Sequence, residues 1–272
     1  MRSLKWCMFI TNIWSLLQDL CLTLLSVPFV LLPEFACYTF GILTKYFAIP
    51  TYPQVIICIL CVVEVGTSFV CILENRYHHI KRLTISQTKV HISFYLLNNS
   101  VAVFLLYMAT NPIPEQTSAT KIVFDSLPCL PQYIYDLDIF VATLDQRKTT
   151  KHVAMIVLLI FGQIFYFFFS TYYYLYMISS NIMSKTTRKY QKQVFIGVSV
   201  QNVIPIITYF SPLIYIIVSN TLLLHSQTVT NILVIIISLH GILSVLAMLF
   251  LQKPYRRFIF KWWMTRKKQS DL

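Results

Sequence analysis

Six long apolar runs divide the chain, and each is continuous rather than alternating between apolar and polar residues. The hydrocarbon core of a bilayer is about 30 Å thick, so an α-helix needs about 20 apolar residues to cross it. Spanning β-strands would be about half as long and would alternate. The pattern therefore predicts an all-α fold, a polytopic transmembrane helix bundle. The predicted spans cover residues 11–32, 54–73, 90–109, 153–183, 194–218 and 229–251.

The composition also indicates a membrane protein. Of the 272 residues, 57% are hydrophobic and only 12% are charged, and the mean hydropathy is +0.66. Soluble domains carry about 25% charged residues, so this chain has too little charge to cover a water-exposed surface. We predict one transmembrane domain, residues 1–251, followed by a basic amphipathic tail, residues 252–272.

The positive charges lie between the spans in an alternating pattern. The net charge is +12, and the segments on one side of the membrane hold 17 Lys and Arg against 5 on the other. Lys and Arg are enriched in cytoplasmic segments of membrane proteins. Both termini are therefore predicted to face the cytosol. Because these charges follow membrane topology, they do not indicate a nucleic-acid partner.

The tail combines apolar and basic residues at helical spacing. Phe258, Ile259, Trp262 and Trp263 recur among several Lys and Arg side chains. Such a helix lies in the membrane interface and is attracted to anionic lipid. The lipid bilayer is therefore a predicted partner of the tail.

No enzyme motif is present. The sequence has no HExxH, no GxSxG and no glycine-rich phosphate loop. Cys58 and Cys61 have CxxC spacing, but they lie within an apolar span and lack a second pair, which favours packed core cysteines. His78 and His79 are interpreted as solvated loop histidines. We therefore predict no catalytic residue, no metal site and no cofactor.

Asp19 and Glu64 lie inside predicted spans, where a charge is costly. One interpretation is that each is protonated or hydrogen-bonded within the bundle, and the other is that one of them belongs to a ligand or switch pocket. Pro205 and Pro212 lie two turns apart in the fifth span. Each removes a backbone hydrogen bond, so we predict helix kinks there, either static or able to switch between two positions.

Several segments together resemble the nematode serpentine chemoreceptors of class H. The resemblance follows their order and spacing across nearly the whole chain. It implies a seven-helix G-protein-coupled receptor architecture and a chemosensory role. The segments are residues 183–206 and 238–258, the ENRY of Glu74 to Tyr77, the IPEQ of Ile113 to Gln116 and the LPCLP of Leu127 to Pro131.

This resemblance implies olfactory-type detection of a small molecule, a heterotrimeric G protein as partner, and the plasma membrane of sensory neurons as location. It also implies a disulfide from Cys129 to Cys58, with Cys37 as the second choice and an unpaired Cys129 as the alternative. ENRY is similar to the acidic-Arg-Tyr motif of rhodopsin-like receptors, which implies a switch role for Arg76, although a positive-inside anchor is the alternative. The implied switch or G-protein-facing residues are Glu74, Arg76, Tyr77, Lys185, Arg188, Lys189, Pro254, Tyr255 and Arg256.

Two further expectations concern function. The alternative to a receptor is a small-molecule or ion transporter or channel. Transporters often contain paired helices that are interrupted by glycine, and this chain has only five glycines, which argues against that alternative. Residues 5–20 resemble the start of the family's second helix, so the first helix is expected to be absent. We expect this absence to expose Ser15, Gln18 and Asp19 to lipid and to cause retention in the endoplasmic reticulum.

Overall fold

The architecture is a bundle of long helices. A computed structural model describes residues 2–81, 87–127, 131–178, 184–222, 226–251 and 256. Within these ranges, six helices are long and apolar enough to cross a membrane. The six main helices are α1 (Arg2–Leu20), α3 (Thr51–Lys81), α4 (Gln87–Thr110), α7 (Gln146–Tyr173), α8 (Lys185–Leu222) and α9 (Gln227–Leu251).

The first helix ends earlier than predicted. α1 continues into a π-helical turn, Cys21–Leu25, and the chain then enters strand β1, Pro28–Leu31. The predicted span of residues 11–32 is therefore wrong at its end. Val27 has a φ of 43°, which the helix cannot accommodate, and the proline after it has no N–H to continue the ladder. Apolar composition alone did not distinguish the spanning helix from the buried strand that follows it.

The second spanning helix is longer than the apolar run that predicted it. α3 extends through residue 81, so His78 and His79 belong to a helix and not to a loop. The interpretation of His78 as a solvated loop residue is wrong, because its ring pairs with Glu74 one turn earlier. α7 also begins before the predicted position, since Asp145 caps it by accepting a hydrogen bond from the Lys148 N–H at 2.9 Å.

A small folded cap covers one end of the bundle, which we call the outer end because the charge pattern assigns it to the outside. Its three-stranded antiparallel sheet has the order β1, β2, β3, with Val30 opposite Cys37 and Ala36 opposite Val141. The apolar core of the cap includes Leu31 and Ile134, both fully buried. The remaining cap elements are β2 (Ala36–Thr39), α2 (Ile42–Lys45), α5 (Gln116–Ser126), α6 (Gln132–Tyr135) and β3 (Phe140–Val141).

Helix α3 occupies the centre of the bundle. It packs against α1, α4, α7 and α8. Its buried Phe69 and Leu73 belong to an apolar cluster with Phe161 and Phe167 of α7 and Val198 of α8. At the opposite end from the cap, which we call the inner end, α3 contacts α8 near the start of that helix. α3 therefore contacts the cap at the outer end and α8 at the inner end.

The cap depends on one side chain that replaces a missing strand partner. Gln116 accepts the Val141 N–H at 2.9 Å and donates to the Val141 carbonyl at 3.1 Å, so it pairs with β3 as a strand would. Gln116→Leu leaves both backbone groups without this partner, and we expect it to destabilise the cap by about 1 to 2 kcal/mol. The population of the opened cap should then rise about 5- to 30-fold. The measurement is the rate of tryptic cleavage after Lys121 in reconstituted vesicles.

Gln132→Leu is the matched control, because Gln132 begins α6 and is exposed. Its cleavage rate should stay close to that of the unsubstituted protein. Equal rates for the two variants would contradict the role assigned to Gln116.

Candidate functional site

Polar side chains meet between the helices at three levels. The mid-membrane cluster consists of Gln18 and Asp19 of α1, Tyr209 of α8 and His240 of α9. The Tyr209 hydroxyl donates to Gln18 Oε1 at 2.7 Å and lies 3.4 Å from the His240 ring. His240 Nδ1 lies 3.9 Å from Asp19 Oδ1. The cluster therefore joins the first helix to the last two.

The Asp19 carboxylate fits against a glycine of α9. A Cβ atom at Gly241 would lie 2.0 Å from Asp19 Oδ2, so the absence of a side chain creates the space for the carboxylate. Gln18 is fully buried and Ser15 is 4% exposed. The expectation that these two side chains face lipid is wrong, because they lie on the side of α1 that packs against its neighbours.

The second level connects α3, α4 and α7. Glu64 of α3 accepts hydrogen bonds from the Tyr95 hydroxyl and, at 3.2 Å, from Asn99 Nδ2. The Gln163 amide of α7 donates to Asn98 Oδ1 at 2.8 Å. A crevice of about 160 Å³ between α4 and α7 borders Asn98 and Gln163 and is otherwise lined by apolar side chains. Its volume is close to that of a cavity that holds one benzene-sized molecule.

The third level lies at the inner end, where the ENRY segment is folded. Arg76 is 7% exposed, and its Nη1 donates to Gln191 Oε1 of α8 at 3.2 Å. Glu74 is 2% exposed and pairs with His78 and with His91 of α4. The acid and the arginine of the segment therefore bind different helices, and the glutamate is paired with histidines.

The other predicted inner-end residues have varied surroundings. Tyr77 packs its ring against Phe167 and Tyr174. Arg188 is half-buried and donates to the Tyr176 carbonyl at 2.9 Å, which connects the start of α8 to the π-helical turn Tyr174–Ile178 that follows α7. Lys185, Lys189 and Arg256 are exposed, and Pro254 and Tyr255 lie outside the described residues.

The predicted disulfide falls partly outside the described residues, which do not include Cys129. Cys58 and Cys37 are both buried. Burial, reinforced by the neighbouring Cys58, raises the pKa of the Cys37 thiol to about 12. A thiol with such a pKa is protonated at neutral pH and attacks a disulfide slowly. The bridge between Cys58 and Cys129 stays a prediction.

Pro205 and Pro212 both lie inside the continuous helix α8. The Thr208 hydroxyl donates to the Pro205 carbonyl at 3.3 Å, and the Ser211 hydroxyl donates to the Thr208 carbonyl at the same distance. These side chains hydrogen-bond within the stretch of backbone that the prolines interrupt. Helix kinks at the two positions stay a prediction.

A model of the family described as serpentine type 7TM GPCR chemoreceptor Srh matches residues 1–265. The chain belongs to this family. No curated protein and no solved structure matches the chain. The Srh family is a receptor family and not an enzyme family, and the six apolar helices make this member a multi-pass membrane protein.

Most of the polar partners found in this Srh chain carry no motif in the sequence. Asp19, Glu64, Glu74 and Arg76 stand out in the sequence, but the residues that bind them do not. The available signal was that a polar side chain within an apolar run needs a partner inside the protein. The residues missed in this way are His91, Tyr95, Asn99, Gln191, Tyr209 and His240.

Two glycines of the Srh chain provide a matched test of the mid-membrane cluster. Gly241→Ala places a methyl group against Asp19. Overpacking of this kind costs about 1 to 3 kcal/mol, so we expect a lower midpoint of unfolding in mixed micelles.

Gly162→Ala in α7 is the control, because a Cβ there meets nothing within 4 Å. This change should alter stability by less than about 1 kcal/mol, in the favourable direction for a helix. Equal midpoints for Gly241→Ala and the unsubstituted protein would show that Asp19 does not occupy this position.

Proposed function

We propose that this protein is a chemosensory receptor that detects a small molecule and activates a heterotrimeric G protein from its inner end. The Srh family is described as a family of GPCR chemoreceptors, which supports this class of function. The finer statements, olfactory-type detection and the plasma membrane of sensory neurons as location, are part of the proposal.

The observation that carries the proposal is the contact between Arg76 and Gln191. It joins α3 to α8 across a sequence separation of 115 residues, at the end predicted to face the cytosol. A receptor needs two arrangements of its helices that a ligand can bias. A single hydrogen bond to a charged group contributes about 1.5 to 3 kcal/mol, which is enough to hold one arrangement and small enough for a ligand to overcome.

The ligand is proposed to be small and largely apolar. The crevice between α4 and α7 has the volume for such a molecule, and Asn98 and Gln163 place amide groups at its wall. The cap, which contacts α3 at the outer end, is a second possible place for a ligand. A ligand in the crevice would contact α4 and a ligand at the cap would act on α3, and these two helices carry Glu74, Arg76 and His91 at the inner end.

A transporter or channel remains the alternative function. Polar residues between helices serve transport as well as signalling. Substrate flux into vesicles without any G protein would favour this alternative. Such flux, together with the absence of nucleotide exchange on any Gα subunit, would replace the receptor proposal.

Retention in the endoplasmic reticulum is also kept as a proposal. The described residues hold six spans, and the family description names seven. The burial of Ser15 and Gln18 removes lipid exposure of these side chains as a reason for retention.

Substitution of Gln191 tests the receptor proposal. Gln191→Leu removes the acceptor of Arg76, so we expect several-fold more ligand-independent GTP-analogue binding by a co-expressed G protein. Gln191→Glu strengthens the pairing with arginine and should lower the basal signal. The measurement uses membranes that hold equal amounts of receptor and a panel of Gα subunits.

Gln193→Leu is the control, since Gln193 lies two residues further along α8 and is exposed. It should leave the basal signal unchanged. The same signal from the Leu and Glu variants of Gln191 would argue against a switch and in favour of Arg76 as a membrane anchor.

A further inference from the structure

One carboxylate at the inner end is held between two imidazoles. His78 Nε2 of α3 lies 3.3 Å from Glu74 Oε1, and His91 Nδ1 of α4 contacts Glu74 Oε2. The two imidazole rings meet edge to face, with their centroids 5.6 Å apart. Each oxygen of the carboxylate therefore has its own histidine, and the two histidines come from different helices.

Two thiols also interact electrostatically with the carboxylate, those of Cys7 on α1 and Cys71 on α3. Arg76, which could have neutralised the acid, is bonded to Gln191 instead. The Tyr77 ring packs on His78 from the same helix. The basic groups in contact with the Glu74 carboxylate are thus the two imidazoles.

Proton binding changes the strength of this contact. An imidazole ordinarily titrates near pH 6.5, within the range that cells reach. A neutral imidazole gives the Glu74 carboxylate one hydrogen bond to its N–H, whereas an imidazolium adds the attraction between opposite charges to that bond. Because the glutamate side chain is only 3% exposed, water screens this attraction weakly.

We propose that Glu74, His78 and His91 form a proton-binding site that fastens α3 to α4 at the inner end of the bundle. The His91 contact crosses between helices, and the His78 contact holds the carboxylate in place for it. The site lies two residues before Arg76 on α3, so its occupancy also fixes the turn that presents this arginine to α8. The inference does not require a receptor function, since a transporter with this structure would bind protons in the same way.

The pH dependence of stability has a definite sign. An imidazolium attracts the Glu74 carboxylate more strongly than a neutral imidazole does, so the contact stabilises the folded state more at acidic than at neutral pH. Other titrating groups also change stability with pH. The informative quantity is therefore the difference in Tm between the protein and a variant without the two imidazoles.

The experiment measures Tm of the full chain in lipid nanodiscs, without ligand or G protein, from pH 5.5 to 8.0. We expect the Tm advantage over His78→Gln/His91→Gln to be several degrees larger at pH 5.5 than at pH 8.0. His79→Gln should retain the full pH dependence, since His79 is exposed and adjoins His78 in sequence.

A second variant keeps the test decisive if the double variant folds poorly. His91→Lys supplies a permanent positive charge to Glu74, so it should fold and lose most of the gain in Tm on acidification. Either of two results would overturn the proposal. One is that Tm of His91→Lys depends on pH in the same way as Tm of the unsubstituted protein. The other is that His79→Gln loses as much of the pH dependence of Tm as His78→Gln/His91→Gln does.

Discussion

Inside a bilayer, a polar group can bond only to the protein itself, and this constraint organises the whole bundle. Helices gain little from hiding apolar surface from one another when lipid is equally apolar. The contacts that distinguish one helix arrangement from another are therefore the polar ones. Five such contacts join pairs of helices. They are Gln18–Tyr209 between α1 and α8, Glu64–Tyr95 between α3 and α4, Arg76–Gln191 between α3 and α8, Asn98–Gln163 between α4 and α7, and Thr150–Asn220 between α7 and α8.

The same constraint makes the three levels of polar contacts depend on one another. Helix α3 carries Glu64 near its middle and the ENRY segment at its inner end, and it reaches the outer cap at Thr51. A shift at one level would change the partners available at the next, because each polar group has few alternatives in hydrocarbon. On the proposed function, a ligand would use this dependence to favour one arrangement of α3 and α8 over another.

The sequence predicted the membrane class, the helical fold and the family, because these follow from long apolar runs and from motifs that are local in the chain. It did not predict the sheet, since Pro28–Leu31 continues an apolar run and has the composition of a span. Nor did it predict the pairings. Tyr209 lies 191 residues from Gln18, and Gln191 lies 115 residues from Arg76. Composition shows that each polar group needs a partner, but only the packing of helices decides which one.

If polar contacts between helices specify the arrangement of the bundle, the hydrogen bond between Gln18 and Tyr209 must couple the two side chains energetically. A double-mutant cycle measures this coupling, with Gln18→Leu, Tyr209→Phe and the double variant unfolded in mixed micelles. We expect a coupling free energy of about 0.6 kcal/mol, the average found for hydrogen bonds between helices in membranes, and not more than about 1.7 kcal/mol. Single effects that add to within about 0.3 kcal/mol would contradict it, because the two side chains would then contribute independently.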